Sequence, residues 1–241
     1  VLHATHERSL GKLGGLMRFM PFVAWTTLVG VIASAGLPPS NGFVSEWLLL
    51  QSFLFTGELP NPYLRMLVPV FAAGVVLVAA LAGYVMVKFF GVIFLGRPRE
   101  EKLAQARDAD GLERLGLAWL TAGCLLLGLF PVAVLEVIDP ITVVMVGKGL
   151  AQSGHAGDWL MLAPVSAERA SYSPLLFFLL TLSIVLVAFA LVRRFYHGRV
   201  RRAAPWDCGF PMQTARMQDT AEGFGQPIRQ IFEPFFRMRR E

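Results

Sequence analysis

Charge is scarce in this chain. Of its 241 residues, 16% are Asp, Glu, Lys or Arg, against about 25% in an ordinary soluble domain. That deficit, with 55% hydrophobic residues and a mean hydropathy of +0.55, excludes a typical water-soluble globule. Cysteine is nearly absent: Cys124 lies in an apolar run and Cys208 in a basic tail. Two isolated thiols read as unpaired and give neither a disulfide framework nor a metal or redox cluster. No glycine-rich phosphate loop, no HExxH pair and no CxxC motif occurs, so no cofactor, no metal and no catalysis by this chain alone are expected. The net charge of +5 comes from basic residues flanking apolar runs, where membrane topology places them. Nucleic acid is therefore not an expected partner. The chain shows no internal repeat and no low-complexity run. Its polar opening, VLHATHERSLGKLGG, begins at Val1 and lacks a signal-peptide pattern; it reads as a fragment, or as a chain whose front is missing.

What the chain does have is long apolar runs, at 22–56 (interrupted near 36–42), 66–95, 115–138 and 174–196. The last three are each long enough to cross about 30 Å of hydrocarbon at about 1.5 Å per residue. The pattern predicts an all-α integral membrane protein with four spans, the first a discontinuous helix. Segment 1–21 is then a connector, 96–114 a mixed-charge loop, 139–173 a loop on the opposite side and 197–241 an amphipathic tail. The first run could instead be a hairpin of two short helices. As one broken span, it leaves 18 Lys and Arg on one side and 3 on the other; as a hairpin, the division is 15 against 6. The sharper bias favours the broken span and makes the basic side, with the tail, cytoplasmic.

Between Pro21 and Phe55 the only formally charged residue is Glu46, just after the breakers Gly36, Pro38, Pro39, Asn41 and Gly42. Ten residues before the outer end, it sits about 15 Å deep if helical, near the bilayer midplane. Charge at that depth is costly and marks function by default. Broken backbone there survives only against protein or a wet cavity. Carboxyl groups in low dielectric disfavour their charged form, and a group so poised can take up and release protons. Ser40, Asn41 and Ser45 can hold ordered water beside it, and Gly42 allows close approach. The plainer role for Glu46 is a packing hydrogen bond to a neighbouring helix.

Other residues carry weaker signals. Lys88 lies about 10 Å inside the cytoplasmic end of its span, within snorkelling reach of the interface, or pairs across helices. His3 and His6, three apart, would share a helix face; a connecting segment is the default and a proton relay the alternative. Glu136 and Asp139 mark the outward end of the third run, as interfacial residues or a proton exit. Segment 139–173, with His155, Asp158 and Trp159, could lie along the outer interface. The tail interleaves basic residues with Phe224, Ile228, Ile231, Phe232, Phe235 and Phe236, as in a segment lying near headgroups or a partner subunit. Pro227 and Pro234 argue against one uninterrupted helix there.

The strings HATHERSLGKLGGLMRFMP, GLPPSNGFVSEW, VKFFGVIFLGRPR and WDCGFPMQTARMQDTAEGFGQPIRQIF together resemble the C-terminal part of a proton-translocating antiporter-like subunit. That family includes the large membrane-arm subunits of respiratory complex I and of multisubunit sodium/proton antiporters. The GRPR loop and the WDCGF tail favour the hydrogenase-4 component B and formate hydrogenlyase subunit 3 branch. The resemblance implies a fold of two inverted five-helix repeats, each with a discontinuous helix bearing an ionisable residue; this chain would hold the second, with the outward half-channel. Glu46 falls where members carry lysine or glutamate. The resemblance also implies the inner (plasma) membrane, membrane lipid, and membrane and soluble partner subunits of a redox complex. A structural anchor for such subunits, or an antiporter subunit with no redox partner, are the rivals.

Overall fold

A computed structural model describes residues 1–54, 59–147, 149, 161–162, 171–196, 206–210 and 212–235. The expectations for His155, Asp158, Trp159 and Phe236, and for the Phe224 side chain, lie outside the described residues. The helices are α1 (Leu2–Thr5), α2 (Pro21–Ser34), α3 (Asn41–Phe53), α4 (Pro62–Phe94), α5 (Gly111–Leu129), α6 (Pro131–Val146), α7 (Pro174–Phe195) and α8 (Ala221–Phe232). Three of them, α4, α5 and α7, are long and apolar enough to cross a membrane. Many of their large side chains are bare, among them Val70, Val78 and Val87 on α4 and Ile184, Leu186 and Phe189 on α7, while Val92, Ile93 and Phe94 at the end of α4 are buried. Helices apolar on every face are suited to hydrocarbon, not to water. The 14 residues of α2 and 13 of α3 each reach about 20 Å, short of a full crossing on their own.

Two elements depart from the sequence pattern. The third apolar run is not one helix: Pro131 has no N–H to give, and Phe130 leaves helical geometry at φ −122°, ψ 51°. The ladder then resumes, with the Phe130 N–H donating to the Leu126 carbonyl and the Val134 N–H to the Phe130 carbonyl. As a result α6 runs on to Val146, and Glu136 and Asp139 are helical. In the tail, α8 accommodates Pro227 in its interior and stops at Phe232, two residues before Pro234.

The chain divides into two compact units. The first comprises Val1–Val31, Gly83–Trp119 and Trp206–Glu241. Its core gathers Leu13, Leu16, Met20, Val23 and Ala24 with Ile93, Phe94, Leu103, Ala106 and Ala109. Gly15, at φ +67°, is pressed on Pro98: a Cβ there would lie 2.7 Å from the proline ring. Its N–H donates to the Leu95 carbonyl at 2.9 Å. Arg99 gathers the segments further, donating to the Leu10, Gly11 and Leu13 carbonyls and to the Asp219 carbonyl. Gln218 accepts from the Arg97 N–H at 3.0 Å and donates to the Arg97 carbonyl at 2.7 Å. The GRPR loop and the tail are thus hydrogen-bonded to each other. Asp108 holds the start of α2, its carboxylate accepting from the N–H groups of Phe22 (2.7 Å) and Val23 (3.1 Å). An acid at a helix N-terminus satisfies orphan donors and complements the dipole. The second unit comprises Ile32–Ala82 and Leu120–Pro205 and contains the break between α2 and α3.

Candidate functional site

Gly36 ends α2 because it takes up φ +63°, a left-handed conformation that glycine adopts without a steric penalty. Its N–H donates to the Ala33 carbonyl and the Leu37 N–H to the Ile32 carbonyl, both at 3.2 Å, the paired closure of a Schellman motif. Pro38 and Pro39 follow and cannot donate; the peptide between them is cis. Ser40 is extended and buried, its hydroxyl donating to the Leu37 carbonyl at 2.5 Å. Helix α3 starts at Asn41.

From there α3 passes beside the end of α2. The Ala33 carbonyl occupies the space where a Cβ on Gly42 would stand. The Glu46 carboxylate occupies the corresponding space at Gly36, with Cδ 2.7 Å and Oε1 3.0 Å from the Cβ position. Glu46, half-buried, therefore rests its carboxylate on the turn that terminates α2. The carbonyl end of a helix carries partial negative charge. The carboxylate is thus set against that end of α2, in an apolar run with no other formal charge. Asn41 adds a buried Oδ1 that accepts no hydrogen bond among the described residues; buried amide oxygens are normally satisfied, by water where protein does not reach.

Two residues that the sequence did not single out complete the surroundings. Gly128, near the end of α5, has its Cβ position 2.6 Å from the Ser40 carbonyl carbon and 2.7 Å from the Asn41 nitrogen, so α5 meets the break backbone to backbone. Tyr172 lays its ring against α3, with centroids 5.0 Å from Phe43 and 5.8 Å from Trp47. Its hydroxyl is buried without a partner among the described residues, and burial pushes the phenol up to about 12. A lone glycine in an apolar helix and a tyrosine in a connecting segment give no local signal; only tertiary contact reveals them.

The structure brings Gly36, Gly42 and Glu46 together, with Asn41 at the head of the same helix. Ser45 is not turned to Glu46: adjacent helical residues do not face each other, and its exposed hydroxyl donates to the Gly42 carbonyl at 2.9 Å. Lys88 belongs to the first unit, where its Nζ lies 2.9 Å from the Cβ position of Gly225 on α8. His3 is exposed and pairs with Glu113 at 3.0 Å. His6 does not share its helical face, because α1 stops at Thr5 and His6 turns away at φ 52°. Glu136 is exposed on α6. Asp139 accepts a hydrogen bond from the Thr142 hydroxyl at 3.2 Å.

Bare apolar helices and a carboxylate seated on a helix break define an integral membrane protein of the broken-helix kind. Residues 1–59 match the family described as NADH:quinone oxidoreductase/Mrp antiporter, TM, which spans Glu46 and the whole break. The chain is homologous to formate hydrogenlyase subunit 3 of Escherichia coli (strain K12), 30% identical over 98% of this chain and 36% of that protein. It is likewise homologous to hydrogenase-4 component B of the same organism, 26% identical over 100% of this chain and 36% of that one. The chain thus spans about a third of the length of these relatives. Its fold matches a chain in the structure of the membrane-bound sulfane sulfur reductase, an archaeal respiratory membrane complex, with a TM-score of 0.72 at 19% identity, over 98% of this chain and 36% of that one.

Proposed function

We propose that the chain carries protons through the outward half of a membrane path, as part of a complex driven by a redox reaction on other subunits. The supporting observation is the seat of Glu46: a lone carboxylate in an apolar run, resting on the terminal turn of α2. A proton loaded there leaves a neutral carboxyl on the turn, its release restores the carboxylate, and the redox reaction on other subunits supplies the drive. Asn41 contributes a site for water. Glu46 is the terminal protonation site in this reading, Lys88 lies on the cytoplasmic side, and Glu136 stands toward the exit. His3 and His6, divided between an exposed pair and a turn, contribute at most to the entry surface. The complex sits in the inner membrane with the tail in the cytoplasm, in keeping with the distribution of Lys and Arg. Membrane and soluble redox subunits are its partners, and lipid covers the bare helices.

A second reading has its own support, since the matched family also includes Mrp antiporters: exchange of sodium for protons with no redox partner. Inverted membrane vesicles containing the complete assembly separate the two. Dye quenching started by hydrogen, formate or NADH, and indifferent to sodium, is the expected result. Sodium-dependent proton movement that ignores all three donors would overturn redox drive and leave the antiporter. The subunits that co-purify identify the electron donor.

A further inference from the structure

Tyr172 carries a group that the account of Glu46 leaves unused. Packing does not require its phenol oxygen, because phenylalanine would fill the same place against Phe43, Trp47 and Phe177. The oxygen is nonetheless buried, with no hydrogen-bond partner among the described residues, an arrangement that disfavours folding unless water or a proton carrier satisfies it. Its place is held from two sides. The backbone is bridged to Leu162, with N–H to carbonyl distances of 2.8 and 3.0 Å. The ring meets Phe43 edge-on at 64° and Trp47 at 44°. Phe43 and Trp47 are one turn apart on α3, and Glu46 belongs to that same turn. The Tyr172 ring therefore lies level with the turn of α3 that carries Glu46, on a neighbouring face.

We infer that Tyr172 is a positioning residue for proton exchange at Glu46, its hydroxyl anchoring the ordered water that receives the proton. This inference rests on the proton-transport reading of Glu46. The neutral carboxyl of Glu46 gives its proton to the water, and the water passes one of its own protons outward. The phenol keeps its proton throughout, as donor or acceptor to that water, and the carboxylate is reloaded from the inner side. No electron moves and no group is consumed.

The test uses the full-length protein in its complete complex, in inverted vesicles, with proton translocation per donor oxidised measured against pH. Tyr172→Phe keeps every ring contact and removes one oxygen; the expected loss is roughly tenfold, the equivalent of about 1.4 kcal/mol, with normal assembly. Phe177→Leu, which loosens the same ring cluster and keeps the hydroxyl, is expected to leave translocation close to wild type. Equal loss in both variants would mean packing and overturn the inference. Wild-type translocation in Tyr172→Phe beside a dead Glu46→Gln overturns it while leaving the transport reading intact. Wild-type translocation in Glu46→Gln overturns both. A tyrosine fluorinated beside the hydroxyl keeps fold and oxygen but makes the phenol more acidic. It is expected to shift the pH profile, and an unshifted profile counts against the inference even if Tyr172→Phe fails to assemble.

Discussion

Alanine is a better helix former than glycine by about 1 kcal/mol, yet α3 carries Gly42 in its first turn. Space decides against alanine: the Ala33 carbonyl fills the Cβ position, and its carbon lies 3.0 Å away. Backbone cannot rotate aside as a flexible side chain would, so Gly42→Ala is expected to destabilise despite the gain in propensity. Gly36→Ala has two penalties. Its left-handed conformation costs a residue with a Cβ about 1–2 kcal/mol, and the new methyl displaces the Glu46 carboxylate. The melting temperature of the full-length protein should fall in both variants, and a rise in either would contradict the close overlap at the break. Glu46 and its glycines are legible in the sequence because a charge and a cluster of breakers stand out against an apolar background. Tyr172 and Gly128 are not, because what distinguishes them is contact with residues far away in the chain. Ser45 is next to Glu46 in sequence but points elsewhere on the helix, so its nearness misleads.

Among the elements, α2 depends on an acid supplied from far along the chain. Asp108 accepts from its first free N–H groups, and Asp108→Ala should cost about 1–2 kcal/mol through loss of this capping interaction. The measurement is thermal unfolding of the full-length protein, and no change would mean the cap is idle. A second tether is sensitive to pH. Lys102 and the Ser9 N–H, both hydrogen-bonded to Glu7, hold its carboxyl down at about 2 from an ordinary 4.5. A lowered carboxylate stabilises the fold fully above its ordinary value and loses that contribution as pH falls toward 2. Amide exchange protection at Arg8 and Ser9, corrected for intrinsic rates, should therefore decline from pH 4.5 to about 2, and Glu7→Gln should remove the dependence. The break at Gly36 could be read in advance because several breakers coincide there. The break at Pro131 is subtler, since one proline inside an apolar run leaves the hydrophobic pattern intact on both sides. Helix α8 forms around Pro227 because one missing N–H is not enough to end a strongly amphipathic turn.

For the whole molecule, the two units divide the labour. One ties the chain's polar ends and loops together through Arg99, Gln218 and Asp108; the other holds the break after α2 and the Glu46 carboxylate. The membrane class follows from composition alone, while the allocation of residues to the units follows from hydrogen bonds between segments about 85 to 121 positions apart. The relatives it matches are nearly three times as long as this chain. The decisive measurement is proton translocation by the complete complex in membranes with Glu46→Gln, normalised to donor oxidation and to assembled complex. Donor oxidation that continues without acidification is the outcome expected here. Undiminished acidification by a normally assembled variant would contradict the account, leaving Glu46 a packing residue.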